Sequence, residues 1–331
     1  MRRKPNLFIV GAPKCGTTAW VQYLSTHPDI FFPSIKEPHY FSDDVPKRPG
    51  FNNFTSEERY LALFAGAGNK KIIGEGSVRY LQSRVAARNI SQFNPDAKVI
   101  IFVRDQQDYL PSLHNQMVFN KDEVITDFET AWRLSGKRDE TNTGPYCRDP
   151  KLLDYVEAGS FAEQVERFYE HFPEEQIRVL HFRDWSRDPR STYLDILDFL
   201  GVPDDGRTEF PRINAARQRR TSWLWKLQKD PPRPARAAVA MIKRLTGLHS
   251  LRLNDFLSWA DTREGGQTRA SDSVKQEIAA HFQADNERLE RRIHRVGSRA
   301  MLALLAFGMS FGADPSDAQA ADESPLAAPS R

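Results

Sequence analysis

Short apolar runs alternate with stretches of helical period along the first two thirds of the chain. Asn6 to Val10 is a compact apolar run ending at Gly11, and a run of that length bounded by a glycine turn reads as a buried strand. Thr17 to Ser25 carries Trp20, Val21 and Leu24 at helical spacing, which predicts a helix. Ile30 to Pro33 reads as a short extended piece ahead of the polar stretch KEPHYFSDD. The pattern then predicts a helix over Ser56 to Ala65, a short strand over Lys71 to Gly74 and a helix over Val78 to Phe93. Ala97 to Val103, AKVIIFV, is the strongest strand signal; it ends in Arg104-Asp105, with a helix expected from about Asp108 to Phe119. Gln176 to His181 predicts a further buried strand, and Pro189 to Leu200 an amphipathic helix closed by Gly201 and Pro203. Short buried strands alternating with helices predict an α/β fold built on a doubly wound parallel sheet.

The chain has 331 residues, ample for one large α/β domain, and no repeat at a fixed period divides it. The expected organisation is a single domain over residues 1–312, its C-terminal part helical from about residue 222. Residues 313–331, rich in Ala, Asp, Ser and Pro, read as a disordered tail. Ala300 to Ala313 is apolar but too short to span a bilayer, and reads as a buried terminal helix. The opening MRRKPNLFIVG lacks the apolar stretch of a secretory signal, and two cysteines, Cys15 and Cys147, cannot build a disulfide framework. A cytoplasmic, reducing location is the expectation.

Charge changes this picture only locally. The net charge of +3 makes no bulk demand for a nucleic-acid partner, and no recognition motif accompanies the one basic cluster. That cluster, residues 211–250, holds ten Lys or Arg against one acid. It reads either as a surface for anionic ligands or as a solvated helix face, and composition leaves both open.

The candidate chemistry begins where the first strand turns into the first helix. GAPKCGTT, residues 11 to 18, keeps the glycine spacing of a Walker A loop and sets Thr18 at its final position. Thr17 stands where the lysine belongs, and Lys14 lies inside the loop. Backbone N–H groups from Gly11 to Thr18 can converge on an anion, helped by the positive end of the helix. Thr17 and Thr18 add hydroxyl donors and Lys14 a mobile charge. Downstream, Arg104 ends a strand and Ser112 opens the next helix eight residues on, so both can face one phosphate. Taken alone, Arg104 also fits a surface ion pair with Asp105 or Asp108.

Together these stretches resemble the sulfotransferases that use 3′-phosphoadenosine 5′-phosphosulfate (PAPS). GAPKCGTT resembles their 5′-phosphosulfate loop, and VIIFVRDQQDYLPSLHNQMVFN, residues 99 to 120, their 3′-phosphate motif. IKEPHYFSDD, residues 35 to 44, resembles a segment of the carbohydrate and heparan-type members, and INAARQRRTS, residues 213 to 222, their late loop over the adenosine. The resemblance covers about residues 5 to 225 and points to a bacterial-like member. It implies a P-loop kinase-like fold, a doubly wound parallel sheet flanked by helices. It implies PAPS as sulfuryl donor, adenosine 3′,5′-bisphosphate as product and no required metal.

The implied cofactor contacts are Lys14, Cys15, Gly16, Thr17, Thr18, Arg104 and Ser112, with Arg217, Arg219 and Arg220 as further candidates among which the sequence does not choose. Glu37 is the implied general base, with His39 as its rival, and Lys14 is the implied stabiliser of the leaving 5′-phosphate. One departure stands out. Heparan-type enzymes usually carry a lysine just before the Thr-Pro that follows the third strand, whereas GEGSVRYL, residues 74 to 81, has Glu75 and Gly76 there. Their second catalytic lysine therefore has no counterpart in that stretch. Ser77, Arg79 and the segment from Lys121 to Pro150 are assigned to the acceptor side.

The implied partner besides PAPS is a hydroxyl-bearing acceptor, expected on a glycan, glycolipid or polysaccharide, with a secondary metabolite or a protein tyrosine left open. Nucleic acid and a membrane span are not expected. The competing class is a P-loop nucleotide kinase or NTPase. The missing Gly-Lys-[ST] disfavours it, as does a strongest later strand that ends in Arg104 rather than the Asp of a Walker B strand.

Overall fold

A computed structural model describes residues 3–45, 54–139, 141–213, 217–219, 262–264 and 270–293. The chain divides into a large unit, Met1–Leu289, and a second, Glu290–Arg331, of which residues 290–293 are described. The expected buried helix over 300–313, the tail over 313–331 and most of the helical part from 222 lie outside the described residues.

In the large unit the chain runs β1 (Leu7–Gly11), α1 (Thr17–Ser25), β2 (Ile30–Phe31), α2 (Glu57–Ala62), β3 (Ile72–Gly76), α3 (Ala86–Phe93), β4 (Lys98–Val103) and α4 (Gln106–Asn120). It continues through α5 (Phe128–Arg133), α6 (Tyr155–Gly159), α7 (Phe161–Tyr169), β5 (Ile177–His181), α8 (Phe182–Arg187) and α9 (Pro189–Leu200). Past these come β6 (Arg217–Arg219), β7 (Thr262–Glu264) and α10 (Asp272–His281). Strands β1 to β5 form one sheet in the order β2-β3-β1-β4-β5, every pairing parallel. Strands β6 and β7 form an antiparallel ribbon, with Arg217 opposite Glu264.

Successive residues of a strand face opposite sides of its sheet. Leu7, Phe8, Ile9 and Val10 are all 0% exposed, as are Val99, Ile100, Ile101 and Phe102. Helices therefore cover both faces of the centre, which is why these strands read as unbroken apolar runs. Trp20 of α1 stacks on Phe102 of β4, ring centroids 5.6 Å apart, and fixes that helix to the sheet.

The strand order places a topological switch at β1. From β1 the chain passes to the edge strand β2 and returns to β3 beside β1, then crosses over to β4 and β5 on the other side. In open α/β sheets the crevice at such a switch, beyond the carboxyl ends of the strands, is where ligands bind.

Two expectations are corrected. The helix expected from Val78 begins at Ala86. Residues 78–82 instead form turns, closed by Tyr80 N–H to Ser77 O and Ser83 N–H to Arg79 O, and the Ser77 and Leu81 N–H groups tie them to Ile9 O and Val10 O of β1 at 3.1 and 2.8 Å. The Ser83 hydroxyl then accepts from the Val85 and Ala86 N–H groups and starts the helix there. The strand expected to end at Gly74 extends to Gly76, which draws Glu75 into the sheet beside Phe8.

Candidate active site

The loop between β1 and α1 is shaped to leave donors free. Helices α2, α5, α6, α9 and α10 are capped by Ser56, Asp127, Asp154, Asp188 and Ser271. Helix α1, like α3, α4, α7 and α8, has no side-chain cap; its N-cap is Gly16, in a left-handed conformation at φ 87°. A side chain there would be strained and would also run into the Trp185 ring, 2.1 Å from an added Cβ. The Ala19 and Trp20 N–H groups return to Gly16 O. Those of Gly16, Thr17 and Thr18 have no acceptor among the described residues and sit at the positive end of the helix.

Two cations converge on this loop. Lys14, itself at φ 64°, points its ammonium toward Gln116 Oε1 of α4 at 3.4 Å. Burial lowers its pKa, and the Arg104 guanidinium lowers it further. Arg104, one residue past β4, stacks over the Phe182 ring at 4.5 Å and reaches Lys14 O at 3.5 Å. Its Nε is buried without a partner, a donor left for a ligand. Ser112 is buried on α4 one turn before Gln116, on the same face. Cys15 is turned inward, fully buried, and burial pushes its thiol pKa up.

The segment leaving β2 forms the opposite wall. The Glu37 N–H donates to Gly76 O at 3.1 Å, and the His39 N–H to Ser77 Oγ at 3.1 Å, so the end of β3 holds both. Glu37 Oε2 stands 3.5 Å from His39 Nε2, and Glu37 Oε1 stands 3.6 Å from Lys36 Nζ. Burial pushes the Glu37 carboxyl up, but the His39 hydrogen bond and the charges of Lys36, His39 and Arg79 more than offset it. Its pKa ends below the ordinary value, so it is ionised at neutral pH. Lys14, Glu37 and His39 are three of the four non-glycine residues with positive φ among the described residues. Such strain concentrates where the surroundings fix a functional geometry.

Behind this wall lies a second carboxyl with the opposite character. Glu75 is fully buried, and Glu75 Oε2 accepts from Tyr60 and Tyr80 at 3.0 and 2.8 Å. Burial raises its pKa to about 7, against the pull of the Ser77, Tyr80 and Tyr60 hydroxyls. The Tyr80 hydroxyl also accepts from the Tyr40 N–H at 2.9 Å, so the network braces the Glu37–His39 segment. Arg79 lies on the same turn, its carbonyl accepting from the Ser83 N–H at 3.2 Å, and burial lowers its pKa to about 10.

The structure thus sets Lys14, Gly16, Thr17, Thr18, Arg104 and Ser112 on the loop after β1 and the end of β4 with α4, and Glu37 and His39 on the segment leaving β2, whose Lys36 reaches Thr18. Arg217 and Arg219 belong to β6 rather than to an irregular loop, and Arg220 lies outside the described residues. Sequence reasoning passed over Lys36, Gln116, Phe182 and Trp185. A lysine beside a glutamate in a polar stretch carries no local signal. Phe182 and Trp185 sit just past β5, in a stretch with no phosphate-loop spacing. The position after a buried strand of a parallel sheet was the available clue. Among the described residues there is no cluster of three or more metal-ligating side chains, and no helix is long and apolar enough to cross a membrane.

Comparison with known proteins agrees on one family. The family model for the sulfotransferase domain matches residues 4–221. The chain is similar to heparan sulfate glucosamine 3-O-sulfotransferase 3B1 of Homo sapiens, 26% identical over 205 residues, 61% of this chain and 47% of that protein. It is similar to carbohydrate sulfotransferase 15 of Mus musculus, 30% identical over 256 residues, 61% of this chain and 44% of that protein. The chain spans about half the length of these curated relatives. Among solved structures, a sulfotransferase from Alicyclobacillus acidocaldarius superimposes with a TM-score of 0.56 and 31% identity, covering 73% of this chain and 96% of that one.

Proposed function

The chain belongs to the sulfotransferase domain family, and from that premise we propose that it moves a sulfuryl group from PAPS to a hydroxyl of a carbohydrate acceptor. The observation that carries this reading is the pairing of two segments at one end of the sheet. On one side is an uncapped helix N-terminus with Lys14 and Arg104; on the other is an ionised, strained Glu37. The names of the heparan sulfate and carbohydrate relatives support a carbohydrate acceptor.

The reaction is an in-line displacement at sulfur. Glu37 takes the proton of the acceptor hydroxyl as its oxygen bonds to sulfur. The bond from sulfur to the 5′-phosphate oxygen breaks, and its electron pair leaves on adenosine 3′,5′-bisphosphate. Lys14 and the free N–H groups of Gly16, Thr17 and Thr18 stabilise the charge that develops on that oxygen. Arg104, through its unpartnered Nε, and Ser112 hold the 3′-phosphate and fix the donor's register. Arg217, Arg219 and Arg220 are proposed to close over the adenosine end. His39 orients the base rather than serving as it, because its Nε2 is turned to Glu37 and its Nδ1 is buried.

Thermal unfolding tests the donor site without an acceptor. A ligand at 100 times its dissociation constant stabilises by about 2.7 kcal/mol. Adenosine 3′,5′-bisphosphate is expected to raise the melting temperature, and Arg104→Ala to abolish that rise. A rise with magnesium-ATP alone would overturn the reading in favour of a nucleotide kinase.

A further inference from the structure

Lys36 makes a contact that the reaction above does not use. Its ammonium donates to Thr18 Oγ1, in the first turn of α1, and on its other flank stands 3.6 Å from Glu37 Oε1. The side chain keeps 29% of its surface exposed. The ammonium therefore lies between the N–H groups that receive the 5′-phosphate and the carboxylate that receives the acceptor proton. The sulfuryl group must travel between those two points.

This contact is not a simple ion pair. Charge-assisted N–H···O bonds to carboxylate close to about 2.7–2.9 Å, and Lys36 stands well short of that with Glu37. Its close partner is a neutral hydroxyl. An ammonium has three donors; Thr18 takes one and Glu37 draws another, which leaves a donor and much of the charge for a ligand. In a Walker A loop the hydroxyl at this position faces a magnesium ion. Here a lysine from a different segment occupies that side of it. Gly76, at the end of β3, supplies no charge to the same region, and a Cβ on it would already meet Val21 of α1 at 3.0 Å.

We infer that Lys36 is a second catalytic cation, whose ammonium holds the oxygens of the sulfuryl group as it passes from the 5′-phosphate to the acceptor oxygen. It does at Thr18 what a divalent metal does in nucleotide-hydrolysing loops. The inference rests on the PAPS reading above.

The test compares two probes that differ only by the sulfuryl group, adenosine 3′,5′-bisphosphate and PAPS, titrated calorimetrically into the full chain. Lys36→Met is expected to bind the bisphosphate within about twofold of the unaltered chain and PAPS at least tenfold more weakly, a loss of about 1.4 kcal/mol or more. Lys36→Gln, which keeps a donor for Thr18 but no charge, should show the same selective loss. Lys36→Arg should recover most of the PAPS affinity. Equal weakening toward both probes would overturn the inference, because Lys36 would then only shape the loop. Undiminished PAPS binding in Lys36→Met and Lys36→Gln would overturn it as well. An unaltered chain that binds neither probe would instead remove the donor reading itself, and this inference with it.

Discussion

Glu37 is held at φ 58°, a conformation a glutamate adopts only when its neighbours fix it. Here the Gly76 carbonyl takes its N–H, and Lys36 and His39 flank its carboxylate. Those neighbours set its pH behaviour. Burial alone would raise its pKa, but His39, Lys36 and Arg79 together bring it below the ordinary 4.5. A base must be ionised to act, so activity is expected to fall only as pH drops below that value. The same interactions stabilise the fold above the unfolded-state pKa and fade as pH falls through the folded one. Removing His39 takes away the largest of the opposing influences, so the acid limb in His39→Ala should move to higher pH while turnover persists. Glu37→Gln should lose about 10²-fold or more in kcat. The check is kcat/KM against pH for the three proteins; normal turnover in Glu37→Gln with a dead His39→Ala would exchange the two roles.

The segment from α4 to α6 shows how an element's support can be invisible in its composition. Residues 121–150 read as a polar, variable wall, yet buried ion pairs tie them down. Arg138 meets Glu123 at 2.6 Å with the two side chains 1% and 0% exposed. Glu123 Oε1 also accepts the Val124 and Ile125 N–H groups, and Tyr155 donates to Glu123 Oε2. Arg148 grips Asp122 through two bonds of 2.8 and 2.6 Å. Breaking one partner of a buried pair strands the other charge, at a cost of about 3–5 kcal/mol. Arg138→Met is therefore expected to lower unfolding stability by that amount in a urea titration. Glu123→Ala should be as damaging, since it also frees two backbone donors. A loss under about 1 kcal/mol would mean that the pair is solvated. The strands, by contrast, were legible. Leu7 to Val10 and Val99 to Phe102 are buried on both faces, and an unbroken apolar run is the direct imprint of that burial. Residues 78–85 misled because helical spacing there competes with hydrogen bonds to β1, which lie far away in sequence.

On the scale of the whole molecule, the switch at β1 gathers chain ends that the sequence scatters. The loops after β1, β2, β3 and β4 deliver Lys14, Glu37, Ser77 and Arg104 to one end of the sheet. Most of these could be read from sequence because each follows a recognisable strand and carries its own local spacing. Lys36 could not. Its role depends on a contact with Thr18, eighteen residues earlier, that exists only once the exit of β2 folds against α1. The gathered residues all precede Lys121 and lie within the large compact unit, which ends at Leu289. A chain ending at residue 293 keeps every one of them, together with the basic stretch 211–250 and α10. It should melt cooperatively and show the same stabilisation by adenosine 3′,5′-bisphosphate as the full chain, about 2.7 kcal/mol at 100 times the dissociation constant. If the shortened chain folds but loses that response, residues 294–331 complete the donor site, and the segments gathered at the switch are not sufficient to hold the nucleotide.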